Sequence, residues 1–255
     1  MDNYYNLKVE FKGTSFLGWQ VQKDFSPTVQ GEINKACAQI FKCDDIQTIG
    51  SGRTDSGVHS LGHIVKLTAP FKLEFEALKR GLNSILPKEI RILNVEGSFK
   101  EFRPTNDALK KEYIYLFTNN GLENAFQPDF IVNNRFQLDF DKMKEACELF
   151  VGTHDFIDFR CTGTDVSTTI REVYECDLVE HEMNFHGILP NHFVFRVVGN
   201  GFLKQMVRLM VGTVWSIGRG KTSLEELKLS LKSPTGKRLG ATAPANGLYK
   251  TKVWY

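Results

Sequence analysis

The hydrophobic period changes repeatedly along this chain, and that alternation constrains its fold more than any other feature. Tyr5, Leu7, Val9 and Phe11 alternate with polar residues, the pattern of a strand with one buried face. Val29, Ile33, Ala36, Cys37 and Ile40 then recur at helical spacing. They follow Ser26-Pro27, where a proline in the first turn forfeits no hydrogen bond. Strand-like runs come next near 46–50, 64–67 and 90–95, with a helix over 74–86 that stops before Pro87. A similar order returns in the second half. Strand patterns occupy 113–117, 173–179 and 193–198, and Phe140, Met143, Cys147 and Phe150 mark a helix. A long helix is expected at about 203–217, a shorter one at 223–232, and a last strand at 248–254. Strands and helices intermix without strict alternation, which predicts an α+β fold. Two halves of similar make-up suggest related subdomains, 1–105 and 106–255.

A chain of 255 residues is long enough to bury such cores. Its 42% hydrophobic and 24% charged residues exclude a disordered or fibrous protein. The net charge of +2 hides an uneven distribution: residues 191–255 hold 11 Lys and Arg against only Glu225 and Glu226. A basic last quarter suits a phosphate backbone, although a solvated surface reads the same way. Five cysteines, odd in number and without a C-x-x-C, point to reduced thiols in a cytoplasmic protein, not to a disulfide framework or zinc ribbon. The polar start, Met1 to Tyr5, lacks the features of a signal peptide. No apolar run approaches ~18 residues, so no membrane span is expected. The most apolar stretch, 206–217, is interrupted by Arg208.

The densest cluster of chemistry is Gly50-Ser51-Gly52-Arg53-Thr54-Asp55-Ser56-Gly57-Val58-His59. Its glycines permit sharp turns and close approach of a ligand. The block is neither a phosphate-binding P-loop nor a nucleophile elbow. Asp55 is either a reactive carboxylate or a turn residue capping Gly57. His59 and His63 lie four apart, but glycines and β-branched neighbours favour strand or loop over a metal-binding helix face. His181, His186 and His192 fall in a turn-rich stretch and read as surface residues, and His154 has no recognisable partner. Lys110-Lys111 leads into Tyr113 and Tyr115, which share a strand face. They could stack a base beside a phosphate, or be core tyrosines. Phe202, Met206 and Leu209 form an apolar stripe, and Arg208 stands within the same helix. A buried arginine needs a partner, for which Asp55 is attractive; otherwise Arg208 snorkels to solvent.

Taken together, Gly52-Arg53-Thr54-Asp55-x-Gly57-Val58-His59, Lys111-x-Tyr113-x-Tyr115 and Phe202-x-x-x-Met206-Val207-Arg208 resemble the tRNA pseudouridine synthase A family. Phe16-x-Gly18-Trp19-Gln20, Asp155-Phe156-x-x-Phe159-Arg160 and Ala243-Pro244-Ala245-x-Gly247-Leu248-Tyr249 support the resemblance, in the family's order. Three positions depart from it. His63 stands where Gln is usual, Ile114 where Arg often separates the tyrosines, and Lys250 where an apolar residue is common.

The resemblance implies two ferredoxin-like subdomains sharing a central, mostly antiparallel sheet, with Asp55 in the cleft between them. It implies isomerisation of uridine to pseudouridine at positions 38 to 40 of the tRNA anticodon arm, with no cofactor and no metal. Asp55 matches the catalytic carboxylate, which attacks C1′ or C6 or takes a sugar proton. Arg208 would hold it anionic against desolvation. Tyr113 matches the tyrosine that stacks on the uracil, and Arg53 the arginine that fills the space left by the extruded base. Gly52, Thr54, Gly57, His59, Lys111 and Lys204 complete the substrate-binding set. The family's members also look like homodimers. Two rivals have other roles for the same residues: a related synthase with different RNA targets, and a catalytically silent tRNA-binding protein. A metal-dependent hydrolase using His59 and His63 is a third and remoter reading.

Overall fold

The computed structural model describes residues 3–22, 27–119, 128–161, 163, 166–182 and 191–255. Ser26 and His186, two residues singled out above, lie outside them. The chain divides into two compact units, one of residues 1–109 with 249–255, the other of 110–248. The linear division 1–105 and 106–255 takes no account of the returning last strand.

In the first unit β1 (Asn3–Phe11) and α1 (Val29–Phe41) are followed by β2 (Gln47–Gly50), β3 (His59–Ala69), α2 (Phe75–Ile85) and β4 (Ile90–Gly97). This βαββαβ order is that of a ferredoxin-like module. The period of two in β1 is realised: Tyr5, Leu7, Val9 and Phe11 are all buried. They meet Val29, Ile33 and Cys37 of α1 and Leu78 and Leu82 of α2 in one core. Each such side chain contributes about 1.5–3 kcal/mol by leaving water. The α1 cap is Thr28, whose hydroxyl accepts from Gly31 N, so Pro27 precedes the cap instead of occupying the first turn. Pro27 therefore shapes the approach to the helix without being part of it.

β3 is the central strand of this unit. Along one edge it pairs antiparallel with β1, which in turn pairs with β4. The other edge is divided. β2 runs antiparallel beside Val65–Thr68, and β10 (Leu248–Trp254) runs parallel beside His59 and Ser60. The loop between β2 and β3 therefore leaves the edge where one neighbour ends and the other begins.

In the second unit β5 (Lys110–Thr118), β6 (Val132–Asn133), α3 (Phe140–Leu149), β7 (Gly152–Asp155), β8 (Ile170–His181) and β9 (His192–Gly199) precede α4 (Met206–Gly218) and α5 (Leu224–Lys232). Strand order is β5-β9-β8-β7, antiparallel throughout, with β6 parallel to β5. His181 and His192 are not in a turn. They are opposed across β8 and β9, with rings stacked at 5.6 Å. α4 is apolar nearly all round and correspondingly buried. It starts three residues later than the hydrophobic pattern suggests, because Gln205 takes a left-handed backbone (φ 61°). Phe202, Leu203 and Lys204 therefore belong to the lead-in, and the stripe through Phe202 is not a helical one. α5 opens with a reciprocal capping box between Ser223 and Glu226.

Pairing is thus mostly antiparallel in a mixed α+β architecture. Among the described residues, no helix is long and apolar enough to cross a membrane. Nor do three or more His, Cys, Asp or Glu side chains gather as metal ligands would.

Candidate active site

The loop from Gly50 to His59 is held at its root, along its length and at its exit. At the root, Ser51 N donates to Ile64 O at 2.8 Å, and Ile64 N returns a bond to Ser51 Oγ at 3.1 Å. Thr105 Oγ1 donates to Gly50 O at 2.9 Å. Gly52 and Gly57 take φ of 127° and 82°, conformations that a side chain disfavours. Val58 N donates to Asp55 O at 3.2 Å, so the backbone of Asp55 does open a turn closed through Gly57. The turn and a reactive carboxylate are compatible: the main chain makes the turn and leaves the side chain for other work.

The segment 13–19 lies against this loop. Trp19 N donates to Thr54 O at 3.2 Å and Ser56 Oγ to Phe16 O at 3.2 Å. Approach is closest at Gly13, where an added Cβ would sit 1.9 Å from Val58 O. Gly13 N also donates to His59 Nδ1 at 3.1 Å, and the His59 ring stacks on Tyr249 at 4.6 Å. His59 is buried and fixes the loop's exit, a role in the scaffold. Arg53 is exposed, Asp55 and Gly52 are half-buried, and Thr54 is buried. The loop thus presents the charged side chains and keeps the Thr54 hydroxyl and the His59 imidazole within.

In the second unit the other two motifs meet. Tyr113 on β5 is half-buried, its ring edge-on to Phe202 at 5.1 Å. Tyr115, two residues on, is fully buried and donates to Pro244 O at 2.9 Å; burial pushes its phenol well above the usual range. Both alternatives for the tyrosine pair are therefore realised, one per residue. Arg208 is half-buried in the first turn of α4, and its Nε donates to Ala243 O at 2.7 Å. The loop carrying Ala243 crosses α4 so closely that a Cβ on Gly212 would lie 1.7 Å from Ala241 O. Lys111 is buried, and desolvation, then the positive Arg171, pulls its ammonium down from the usual lysine range. Lys204 is exposed. Ser51, Lys250 and the Ala243 carbonyl are supports that no sequence spacing singles out.

The family described as tRNA pseudouridine synthase matches residues 8–98 and 146–255. A protein of Desulfotalea psychrophila named tRNA pseudouridine synthase A 2 is 35% identical over 98% of both chains. One from Bacillus pumilus, named tRNA pseudouridine synthase A, is 36% identical over 97% of both. Another of that name, from Latilactobacillus sakei, is 32% identical over the full length of each. A solved Cbf5-Nop10-Gar1 complex overlaps only loosely, with a TM-score of 0.38 and 14% identity, covering 96% of this chain and 48% of that one. The chain belongs to the tRNA pseudouridine synthase family. Its full-length relatives carry the A designation within that family.

Proposed function

We propose that this chain isomerises uridine to pseudouridine in tRNA, at positions 38 to 40 of the anticodon arm, with Asp55 as the essential carboxylate. The observation that carries the reading is the Gly52–Gly57 loop. It keeps the family's motif and is braced so that a half-buried carboxylate stands on a fixed turn. The chemistry balances without a co-reactant. The N1–C1′ bond breaks, C5 bonds to C1′, and the C5 proton leaves as N1 gains one. The anionic form of Asp55 serves whether the carboxylate attacks carbon or takes a proton. Arg208 is its counter-charge, and a planar guanidinium suits a carboxylate better than an ammonium does.

Tyr113 stacks on the uracil, and Arg53 enters the space the base vacates, which offsets an extrusion cost of a few kcal/mol. Gly52, Thr54, Gly57 and His59 shape the loop around the substrate. Lys204 pairs with the tRNA backbone, and Lys111 adds positive charge beneath it. The enzyme acts in the cytoplasm as a homodimer.

The test is tritium release from unmodified tRNA labelled at uridine C5, followed by mapping of the modified positions. Wild-type chain should release tritium from positions 38 to 40. Asp55→Ala and Asp55→Asn should each lose on the order of 10²-fold or more in kcat. Normal turnover by Asp55→Asn would overturn the role of Asp55, and no release by the wild-type chain from any tRNA would leave only a tRNA-binding protein.

A further inference from the structure

Lys250 lies on β10 with 0% of its surface exposed, one residue beyond the tyrosine that stacks on His59. Its Nζ donates to Ser51 O at 3.0 Å and to Ser51 Oγ at 2.7 Å, and lies 3.4 Å from His63 Nδ1. An ammonium carries three N–H donors, and the two Ser51 oxygens accept two of them. Burying an ammonium costs several kcal/mol unless it is well hydrogen-bonded. An apolar side chain would cover the edge of β3 at less cost, so packing does not account for a charge here.

What the charge holds is the root of the Asp55 loop. Ser51 is the first residue after β2, four before Asp55. Its main chain is already tied to Ile64, and the ammonium adds two bonds from the opposite strand. The other side of the root is closed as well. A Cβ on Gly50 would meet His63 Nε2 at 2.5 Å and Trp19 at 2.6 Å, and those two rings lie 4.1 Å apart, tilted by 31°. Lys250 is itself fixed, because its carbonyl accepts from Ser60 Oγ at 2.8 Å. His63 and Lys250, two of the three departures from the family pattern, thus stand together at one place.

We infer that Lys250 is a positioning residue for the isomerisation: through Ser51 it sets where the Asp55 loop begins, and so how Asp55 meets the reacting nucleoside. This rests on the role proposed for Asp55. A misplacement of the order of 1 Å at a reacting group can cost about 10²-fold in rate, so a slackened root should lower turnover more than tRNA binding.

The experiment is steady-state tritium release by the full chain, with Lys250→Met, Ser51→Ala and the double variant beside wild type and Asp55→Ala. Lys250→Met should lower kcat at least 10-fold and Ser51→Ala at least 3-fold, each with KM for tRNA within twofold. The double variant should be no slower than Lys250→Met, since both act through one link. An inactive wild type, or an active Asp55→Ala, would overturn the proposed function itself. An active wild type and a dead Asp55→Ala, beside wild-type kcat in both single variants or a change confined to KM, would overturn the role of Lys250. If Lys250→Met does not fold, Ser51→Ala decides by the same split.

Discussion

Tyr113 and Tyr115 show how residues of one type and one spacing part company. Tyr115 is sealed beneath Trp215 and bonded to Pro244, whereas Tyr113 keeps an accessible face beside Phe202. Period two placed them on one side of the strand, but only the packing of α4 and its lead-in decides which of them a base could reach. Replacing Tyr113 with Ala should lower kcat/KM by roughly 5- to 150-fold, the equivalent of about 1–3 kcal/mol of stacking. Tyr113→Phe should keep KM and lose kcat, because the ring remains and the hydroxyl does not; steady-state kinetics on both variants checks this. Among single residues, the glycine-framed loop was legible because φ above zero demands glycine at Gly52 and Gly57. Lys250 under Ser51 was not legible, since 199 residues separate them and neither has a local pattern.

At the scale of elements, boundaries were legible where a chemical stop exists and obscure where only geometry sets them. α2 ends just before Pro87, and the last strand runs where its pattern predicted, Leu248–Trp254. The hydrophobic pattern starts α4 too early because Phe202 and Leu203 continue its apolar run, and nothing in the composition announces the left-handed Gln205. β6 and β7, of two and four residues, are too short for a period to show. The contact between α4 and the loop 240–243 is the element-scale feature with most bearing on activity. Gly212→Ala should push Ala241 away and carry with it the carbonyl that holds Arg208. The variant should lose activity at least 10-fold and melt several degrees lower, by calorimetry and tritium release. Ser223→Ala, at the α5 cap, should cost about 1 kcal/mol in denaturant melts and leave kcat unchanged.

For the molecule as a whole, alkaline pH offers a global test of the packing. Burial pushes the phenols of Tyr115 and Tyr249 above their usual range. Unfolding exposes both, so above pH ~10 the unfolded chain gives up protons that the folded chain retains. A raised native value contributes stability that is complete below the unfolded value and is lost as pH climbs past it. Stability should therefore fall by up to about 1.4 kcal/mol per pH unit for each of the two tyrosines, read as the urea midpoint between pH 9 and 11.5. A flat midpoint there would mean that the phenols are not enclosed as described.

The return of β10 to the first unit also has a consequence for biosynthesis. Translation delivers the Asp55 loop early and the lysine that braces it 199 residues later. A nascent polypeptide stalled between Arg208 and β10 carries every catalytic side chain proposed here, yet its Asp55 loop rests on an unfinished edge of β3. On the roles proposed for Asp55 and Lys250, such a product should turn over more slowly than the chain with β10 in place.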